Sequence, residues 1–355
     1  MNNIKKIRQK LAEKNLDAVI IENEKNQRYA AGFPFTDGSV IVAREGAWLI
    51  TDSRYIEAAN LHAEGVEVLM YERQKPLRDF ISELISTAAV KRLGIEEKSV
   101  SYGRYLNLKE QLPCELVPAQ YIFSDLRASK SEEEIGYMKE AQAISEAALD
   151  EVFGIIRPGM TETEIAAELV YRMLRHGSEG NSFDPIVVTG TKTSMPHGVP
   201  GNNVVKDGDF LTMDFGCIKH GYCSDMTRTV AIGHATDEMQ KIYSIVLEAQ
   251  LTGIAASAAG VPGCEIDAAA RKVISDAGYG EHFGHGYGHS LGLDIHEAPN
   301  ANPLGTAAMP AGAVVSAEPG IYLPGKFGVR IEDVVVMREG GCEVITKAPK
   351  QLIVL

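Results

Sequence analysis

Hydrophobic and polar positions follow helical and strand-like spacing in turn through the N-terminal third of the chain. Residues 4–15 place apolar residues at helical intervals, and residues 17–21 form an apolar run typical of a buried strand. Residues 39–51 predict two strands around a short turn, followed by a helix. Strand and helix patterns continue to alternate over residues 66–112. This alternation predicts an α/β sheet layered with helices.

A polar stretch at residues 123–131 separates this region from a longer helical run. Ser131 and Glu134 have the spacing of a capping box, in which two side chains bond each other's backbone N–H groups at a helix start. We place a domain boundary here, which gives an N-terminal domain at residues 1–125 and a second domain at residues 126–355. A length of 355 residues agrees with two domains.

The second domain repeats one order of elements, namely a long helix, a Pro-Gly pair, a shorter helix and then strands. The two Pro-Gly pairs begin at Pro158 and Pro262, and Thr161 with Glu164 forms another capping box. The repeat predicts a duplicated unit whose halves surround a shared sheet, where side chains from both halves converge. Two unrelated helical hairpins followed by strands are the alternative, because weak internal similarity is easily over-interpreted.

Net charge and cysteine content narrow the classes of function. The formal net charge is −13, whereas nucleic-acid binding needs clustered Lys and Arg. The five cysteines form no CxxC motif and leave an odd one over, which favours a reducing compartment and predicts a cytoplasmic protein. No apolar run is long enough for a signal peptide or a membrane span. The sequence therefore predicts neither a nucleic-acid partner nor a membrane partner.

Four carboxylates in the second domain lie in or beside apolar strand patterns. Asp214 follows DFLTM, and the intervening GCIKHGYCS is long enough for a hairpin that brings Asp225 next to it. Glu318 and Glu332 also lie beside apolar runs. Buried carboxylates are costly unless they are paired or bind a metal. The alternatives are solvated turn or edge residues and an ion pair with Arg330. The DFG motif of protein kinases is excluded as an explanation, because no HRD loop accompanies it.

Histidines are concentrated in HFGHGYGHSLGLDIHE, residues 282–297, which holds four of the nine in the chain. The HExxH zinc motif is excluded because position 300 is Asn300. A lone histidine is more often a structural residue than a ligand. Two Asp, two Glu and one His together suit harder divalent ions such as Mn²⁺, or a pair of Co²⁺ or Zn²⁺ ions. Five ligands exceed a single tetrahedral site but are enough for two ions.

Seven segments in the second domain resemble the aminopeptidase P and prolidase family of pita-bread metallopeptidases. These segments are FDPIVVTG, MPHG, DFG, YCSDMTRT, GHGYGHSLGLDIHE, AEPGIY and RIED, in the family order over about residues 129–355. The first domain resembles the family's N-terminal domain in length and pattern only. The resemblance implies an α/β (α+β) chain: a creatinase-like N-terminal domain and a pita-bread catalytic domain with pseudo-twofold internal duplication.

The resemblance also implies roles for individual residues. The implied metal ligands are Asp214, Asp225, His289, Glu318 and Glu332, with Asp225 and Glu332 bridging two ions. The implied catalytic residues are His197, His296 and Glu318, and the implied substrate-binding residues are Phe183, His285, Tyr322 and Arg330. His282 is left as a structural residue.

The implied reaction is hydrolysis of Xaa-Pro bonds in proline-containing peptides by two divalent ions, with Mn²⁺ preferred over Co²⁺ or Zn²⁺, in a homodimer. Several prolidases carry an arginine shortly after HExP that holds a dipeptide carboxylate, whereas this chain reads HEAPNANPLG. Dipeptidase and aminopeptidase action therefore both stay open. The alternatives are a creatinase-like C–N hydrolase and a non-catalytic peptide-binding module, and the complete ligand set argues against each. The large first domain disfavours a methionine aminopeptidase.

Overall fold

A computed structural model describes residues 3–355, and the chain forms two compact units, Met1–Leu126 and Arg127–Leu355. The first unit contains a six-stranded sheet of order β4-β3-β2-β1-β5-β6. Its strands are Ala18–Ile21 (β1), Gly38–Ala43 (β2), Ala47–Thr51 (β3), Glu67–Met70 (β4), Arg92–Ile95 (β5) and Glu115–Pro118 (β6). The helices here are Ile4–Glu13 (α1), Glu24–Ala31 (α2), Ile56–His62 (α3), Leu77–Thr87 (α4) and Tyr102–Gln111 (α5), and Gln120–Ala128 (α6) begins in this unit and ends in the second.

The sheet of the first unit is mixed. β1 pairs antiparallel with β2 and parallel with β5, and Ile20 faces Ile41 across the β1–β2 pair. Both isoleucines belong to the apolar core between the sheet and its helices. The helices and strands predicted over residues 4–112 are therefore present.

Two helices of this part of the chain differ from the sequence analysis. No element was assigned to α2, which begins because the Asn23 side chain accepts from two backbone N–H groups and ends at Gly32 in the left-handed conformation. The stretch at residues 123–131, described above as polar, instead forms much of α6. The reason is that Ile122 and Phe123 are buried, so a mostly polar segment still has an apolar side that favours a helix.

The second unit contains two helix pairs, and each pair is a long helix followed by a shorter one. The helices are Glu132–Phe153 (α7), Glu162–Arg175 (α8), Asp237–Ala256 (α9) and Gly263–Asp276 (α10). Both predicted capping boxes are present, at Ser131 with Glu134 and at Thr161 with Glu164.

Strands follow each helix pair. Those of the first half are Gly180–Asn181 (β7), Ile186–Thr189 (β8), Phe210–Phe215 (β9), Cys217–Lys219 (β10), Tyr222–Cys223 (β11) and Met226–Ala231 (β12). Those of the second half are Gly288–Ser290 (β13), Glu297–Ala301 (β14), Val314–Ala317 (β15), Gly320–Leu323 (β16), Phe327–Arg330 (β17), Asp333–Arg338 (β18) and Gly341–Val344 (β19). They form sheets of order β11-β10-β7, β12-β9-β8, β14-β13-β15-β18-β19 and β16-β17.

The chain just before each shorter helix forms the same kind of bridge in both halves, as the repeated order of elements predicts. Thr161, just before α8, forms an antiparallel bridge with Val204, and Pro262, just before α10, forms one with Ala308. Each helix pair also packs on its own apolar core. Within residues 3–355, no helix has both the length and the apolar composition that a bilayer crossing requires.

Candidate active site

Two aspartates meet at the centre of the second unit because β9 pairs antiparallel with β12. Asp214 lies opposite Thr227, and Asp225 immediately precedes β12. The turn between the strands passes close to the backbone at Gly216, where an added Cβ would lie 2.0 Å from the carbonyl oxygen of Ser224. The hairpin expected from the sequence therefore places both carboxylates at one end of a fully buried strand pair.

Each of the two glutamates lies where the chain leaves one sheet and enters another. Glu318 follows β15 of the five-stranded sheet and precedes β16 of the two-stranded sheet. Glu332 follows β17 of the two-stranded sheet and precedes β18 of the five-stranded sheet. The two acids are close enough that the charge of Glu318 adds to burial and to the charge of Asp225 in raising the pKa of Glu332.

His289 lies on β13, and hydrogen bonds fix the orientation of its ring. The backbone N–H donates to the Ser316 hydroxyl (3.0 Å), and that hydroxyl donates to Oε1 of Glu318 (2.9 Å). Nδ1 lies 3.2 Å from the Ser290 carbonyl, which fixes the proton on Nδ1. Nε2 is then an acceptor, and it lies 3.6 Å from Oδ2 of Asp225 and 3.4 Å from Oε1 of Glu318. The imidazole thus presents its lone pair to the carboxylates.

Three of the predicted ligands form a compact cluster. Asp225, His289 and Glu332 each offer one ligand atom, and the three atoms lie within 4.8 Å of one another. Burial raises the pKa of Asp225 well above its ordinary value, and the charge of Asp214 adds to this. Burial, followed by the charge of Asp225, does the same for Glu332. Such carboxylates can all ionise only when cations lie among them.

Glu318 and Asp214 are the two remaining predicted ligands, and Glu318 and His289 both have shifted pKa values. Burial raises the pKa of Glu318, and burial lowers the pKa of His289, which keeps the imidazole in its neutral, metal-binding form. Asp214 accepts from Arg330 through Oδ2 at 2.6 Å, while its buried Oδ1 has no hydrogen-bond partner in the part of the chain that the structure describes. A buried oxygen without a donor, beside other carboxylates, fits a divalent ion.

Arg330 connects three parts of the site. The guanidinium donates to Asp214, to the Tyr322 hydroxyl at 2.9 Å and to the Thr227 hydroxyl at 3.1 Å. Burial opposes its charge, but Tyr322 and Asp214 outweigh burial and raise the pKa of Arg330. The Thr227 hydroxyl in turn donates to Oε2 of Glu332 at 2.7 Å. The sequence analysis missed Thr227, although its place two residues after Asp225 on a buried strand is a usable signal.

A cavity of about 360 Å³ opens beside these residues. The residues that line it are Pro196, His197, Glu281, His282, Gly284, His285, Tyr322 and Pro324. The cavity includes three of the residues predicted above to be catalytic or substrate-binding. It also includes His282, which the sequence analysis left as a structural residue.

His285 has a defined tautomer. Nδ1 lies 2.8 Å from the Gly286 carbonyl, so Nδ1 carries the proton, and Nε2 accepts from the Tyr322 hydroxyl at 2.9 Å. Burial lowers the pKa of His285 and burial raises the pKa of Tyr322, so both side chains are held neutral. Together they form a fixed polar wall of the cavity.

The other predicted residues lie at different distances from the cluster. The His296 ring packs edge-on against His289, with centroids 4.4 Å apart, and burial, then the neighbouring His289 imidazole, lowers the pKa of His296. His197 lies on an exposed loop at the cavity. Phe183 lies half-buried between β7 and β8, and none of the hydrogen bonds or ring contacts within residues 3–355 joins it to the site.

Buried ion pairs hold the loops that carry the histidines. Asp267 on α10 pairs with Arg271, whose guanidinium also donates to the carbonyl of His285 at 2.6 Å. Glu297, next to His296, pairs with Arg127 and Lys130. These ion pairs were not predicted from the sequence. Glu297 is distant in the chain from Arg127 and Lys130, and Asp267 with Arg271 has the i,i+4 spacing of an ordinary pair on a helix surface.

Comparison with known proteins gives the family of this chain. Residues 136–339 match the family described as metallopeptidase family M24, and residues 3–129 match the creatinase/prolidase N-terminal domain. The solved structure of an Xaa-Pro dipeptidase from Bacillus anthracis is 41% identical, with 99% of each chain covered and a TM-score of 0.96. An X-Pro aminopeptidase structure from Thermotoga maritima is 37% identical, covering 96% of this chain and 98% of that chain, with a TM-score of 0.92.

An Xaa-Pro dipeptidase of Pyrococcus horikoshii is 33% identical over 352 residues, which is 99% of this chain and 98% of the relative. The predicted fold class, a creatinase-like α/β domain followed by a pita-bread catalytic domain, is confirmed, as is the predicted class of enzyme, a metallopeptidase. The chain belongs to metallopeptidase family M24, and within that family to the aminopeptidase P and prolidase group.

Proposed function

We propose that this chain hydrolyses the peptide bond that precedes proline in Xaa-Pro peptides, with divalent ions held by Asp214, Asp225, His289, Glu318 and Glu332. The observation that carries the proposal is the cluster of Asp225, His289 and Glu332 ligand atoms within 4.8 Å, beside a cavity lined by further imidazoles. Oxygen-rich ligand sets with one imidazole suit Mn²⁺, with Co²⁺ or Zn²⁺ as alternatives. Four carboxylates are enough for two ions, so we propose two.

The chemistry that divalent ions supply at such a site is polarisation of the scissile carbonyl and a lowered pKa of water. We assign to Glu318 the orientation of that water and the acceptance of its proton, and the Ser316 hydroxyl supports this role by holding one of its oxygens. We assign to His296, which lies next to His289, a hydrogen bond to the oxyanion. We assign to His197, at the cavity, assistance to the prolyl nitrogen as it leaves.

We further propose that the cavity binds the proline ring and the chain beyond it. His285 and Tyr322 form its polar wall, and Arg330 holds Tyr322 in place. The relatives include both a dipeptidase and an aminopeptidase. Neither arginine nor lysine is present among the lining residues, so a free C-terminal carboxylate gains no cationic partner in the cavity. Longer Xaa-Pro-Yaa peptides are therefore substrates as well as dipeptides.

A peptide series tests this proposal. Xaa-Pro, Xaa-Pro-Yaa and longer peptides are incubated with the Mn²⁺-loaded protein, and products are identified by mass spectrometry. Release of the N-terminal Xaa from tripeptides and longer peptides is expected, and cleavage confined to the dipeptide would refute the inference about length. Asp225→Ala and Glu332→Ala should each abolish cleavage of every peptide in the series.

The homodimer and the cytoplasmic location predicted from the sequence stay predictions within this proposal. Size-exclusion chromatography with light scattering tests the first, with a mass near twice the 38.5 kDa of one chain expected. Fractionation of the producing cells tests the second, with the protein expected in the cytoplasmic fraction. The Phe183 role also stays a prediction, and Phe183→Ala should raise KM if that ring contacts substrate.

A further inference from the structure

The loop that carries His197 is held by one buried carboxylate outside the metal cluster. Glu162 is the first residue of α8, and its side chain is fully buried. Its oxygens accept four hydrogen bonds, from the N–H groups of Thr189 (3.0 Å) and Gly201 (2.9 Å), the Lys192 ammonium (2.6 Å) and the Asn203 amide (3.3 Å). These donors lie on both sides of His197 in the sequence, so a single carboxylate joins the two ends of the loop.

Other hydrogen bonds also reach this loop, because Arg330 donates to the Pro196 carbonyl at 3.3 Å and the Gly328 N–H donates to the Thr193 hydroxyl at 2.9 Å. Met195 and Val199, on either side of His197, are 57% and 76% exposed, so no apolar core packs around the tip. Lys192, which pairs with Glu162, also donates to the Val199 carbonyl at 2.6 Å. The hydrogen bonds that begin at Glu162 therefore hold both ends of the loop, while Arg330 holds the carbonyl of Pro196 beside His197.

The other half of the duplicated unit uses a similar arrangement. Asp267 is buried near the start of α10, pairs with Arg271 and accepts from the backbone N–H of Tyr287 at 2.9 Å. Arg271 donates to the carbonyl of His285, so this ion pair holds the second histidine-bearing loop of the cavity. Burying a carboxylate costs desolvation free energy, which an exposed acidic residue at a helix start avoids. The presence of a buried carboxylate near the start of both shorter helices points to a role in the loops.

We propose that Glu162 is a positioning residue, which sets the place of His197 at the substrate cavity through Lys192 and the ends of the 189–203 loop. The inference rests on the proposed function, because it assigns His197 to substrate. Glu162 itself contacts neither substrate nor metal. Substitution of Glu162 should therefore lower turnover by no more than the loss of the His197 contribution would.

A double-mutant cycle with the Mn²⁺-loaded protein tests the inference. Glu162→Gln should lower kcat/KM for an Xaa-Pro-Yaa peptide by about 10-fold to 100-fold, since a small misplacement of a reacting group has effects of this size. In the His197→Ala background the same substitution should change kcat/KM by less than about 2-fold. Lys192→Gln, at a partly exposed position, should give the same pattern with a smaller effect if Glu162→Gln folds poorly.

Limited digestion with trypsin provides a readout that does not depend on activity. Lys192 is the only lysine or arginine between residues 190 and 203, and its ammonium is bound in the folded protein. Cleavage after Lys192 should be at least about 10-fold faster in Glu162→Gln, because cleavage follows the population of the open loop. The matched control is Glu164→Gln, which weakens the capping box of the same helix but not the loop. It should leave the Lys192 cleavage rate and kcat/KM unchanged.

Three outcomes would overturn the inference. They are an unchanged Lys192 cleavage rate in Glu162→Gln, an equal fall in kcat/KM with and without His197, and an unchanged kcat/KM. If the wild-type chain cleaves no Xaa-Pro peptide, the proposed function fails. The trypsin experiment then decides alone whether Glu162 holds the loop.

Discussion

Replacing Asp225 by asparagine is expected to stabilise the chelated protein while it abolishes metal-dependent hydrolysis. Asp225 and Glu332 are buried and offer oxygens within 4.8 Å of each other. Two ionised carboxylates 4.8 Å apart repel by about 3.5 kcal/mol at an effective dielectric constant of about 20. A retained proton already relieves part of this repulsion, so we expect the free energy of unfolding to rise by about 1–3 kcal/mol at neutral pH.

The stabilisation should depend on pH in a defined direction. Burial, then the charge of Asp214, raises the pKa of Asp225, so the folded chain retains this proton at pH values where the unfolded chain has lost it. The free energy of unfolding of the chelated wild type therefore falls as pH rises from about 4, the ordinary aspartate pKa, toward the raised value. Asp225→Asn removes this loss. The free energy of unfolding of Asp225→Asn should exceed that of the chelated wild type by a small amount near pH 4 and by a larger amount at neutral pH.

Urea unfolding in the presence of a chelator measures the effect across this pH range. Asp333→Asn is the matched control, because Asp333 is also a buried aspartate but pairs with Arg228 and Lys350. The control should destabilise the protein. Added Mn²⁺ should stabilise the wild type and have a smaller effect on Asp225→Asn. A lower free energy of unfolding for Asp225→Asn than for the wild type, or an advantage independent of pH, would refute the reasoning.

Two further substitutions test buried ion pairs. Glu297→Gln removes the partner of Arg127 and Lys130, and about 3–5 kcal/mol should be lost at neutral pH. Burial opposes ionisation of Glu297, but Lys130 and Arg127 outweigh it and lower the pKa, so this contribution is lost as pH falls through the lowered value. Urea unfolding at pH 7 and pH 3 checks both points, and equal losses at the two pH values would contradict the pH argument. Arg228→Met leaves the buried Asp333 without its guanidinium, and urea unfolding should show a loss of at least about 3 kcal/mol. A loss below about 1 kcal/mol would contradict this.

Local patterns in the sequence were enough to predict the elements that position the site. The capping boxes at Ser131 and Thr161 mark the starts of α7 and α8, because cap and helix depend on neighbouring residues. The mostly apolar run before Asp214 marks the strand β9, because every residue of that strand is buried. By contrast, the short helix α6 was missed, because only part of its surface is apolar and its charged residues mask the periodicity.

Contacts between distant residues were beyond prediction from local pattern. Lys130 and Glu297 lie 167 residues apart, and nothing near either one indicates the other. Glu162 resembles any acidic residue in the first turn of a helix, yet its partners are the ends of a loop that begins 27 residues later. Glu318 and Glu332 were correctly noted beside apolar runs. At those positions the chain passes from one sheet to another, which directs both acids inward. This change of sheet depends on pairing with other strands.

The central claim is that the carboxylates and His289 bind the divalent ions that hydrolyse Xaa-Pro bonds. The most direct test is the rate of Xaa release from an Xaa-Pro-Yaa peptide by protein that has been stripped with a chelator, dialysed and then titrated with Mn²⁺. We predict no release from the stripped protein, recovery as Mn²⁺ is added, and no recovery for Glu332→Gln. Undiminished release in the presence of the chelator, or full recovery of Glu332→Gln, would contradict the claim.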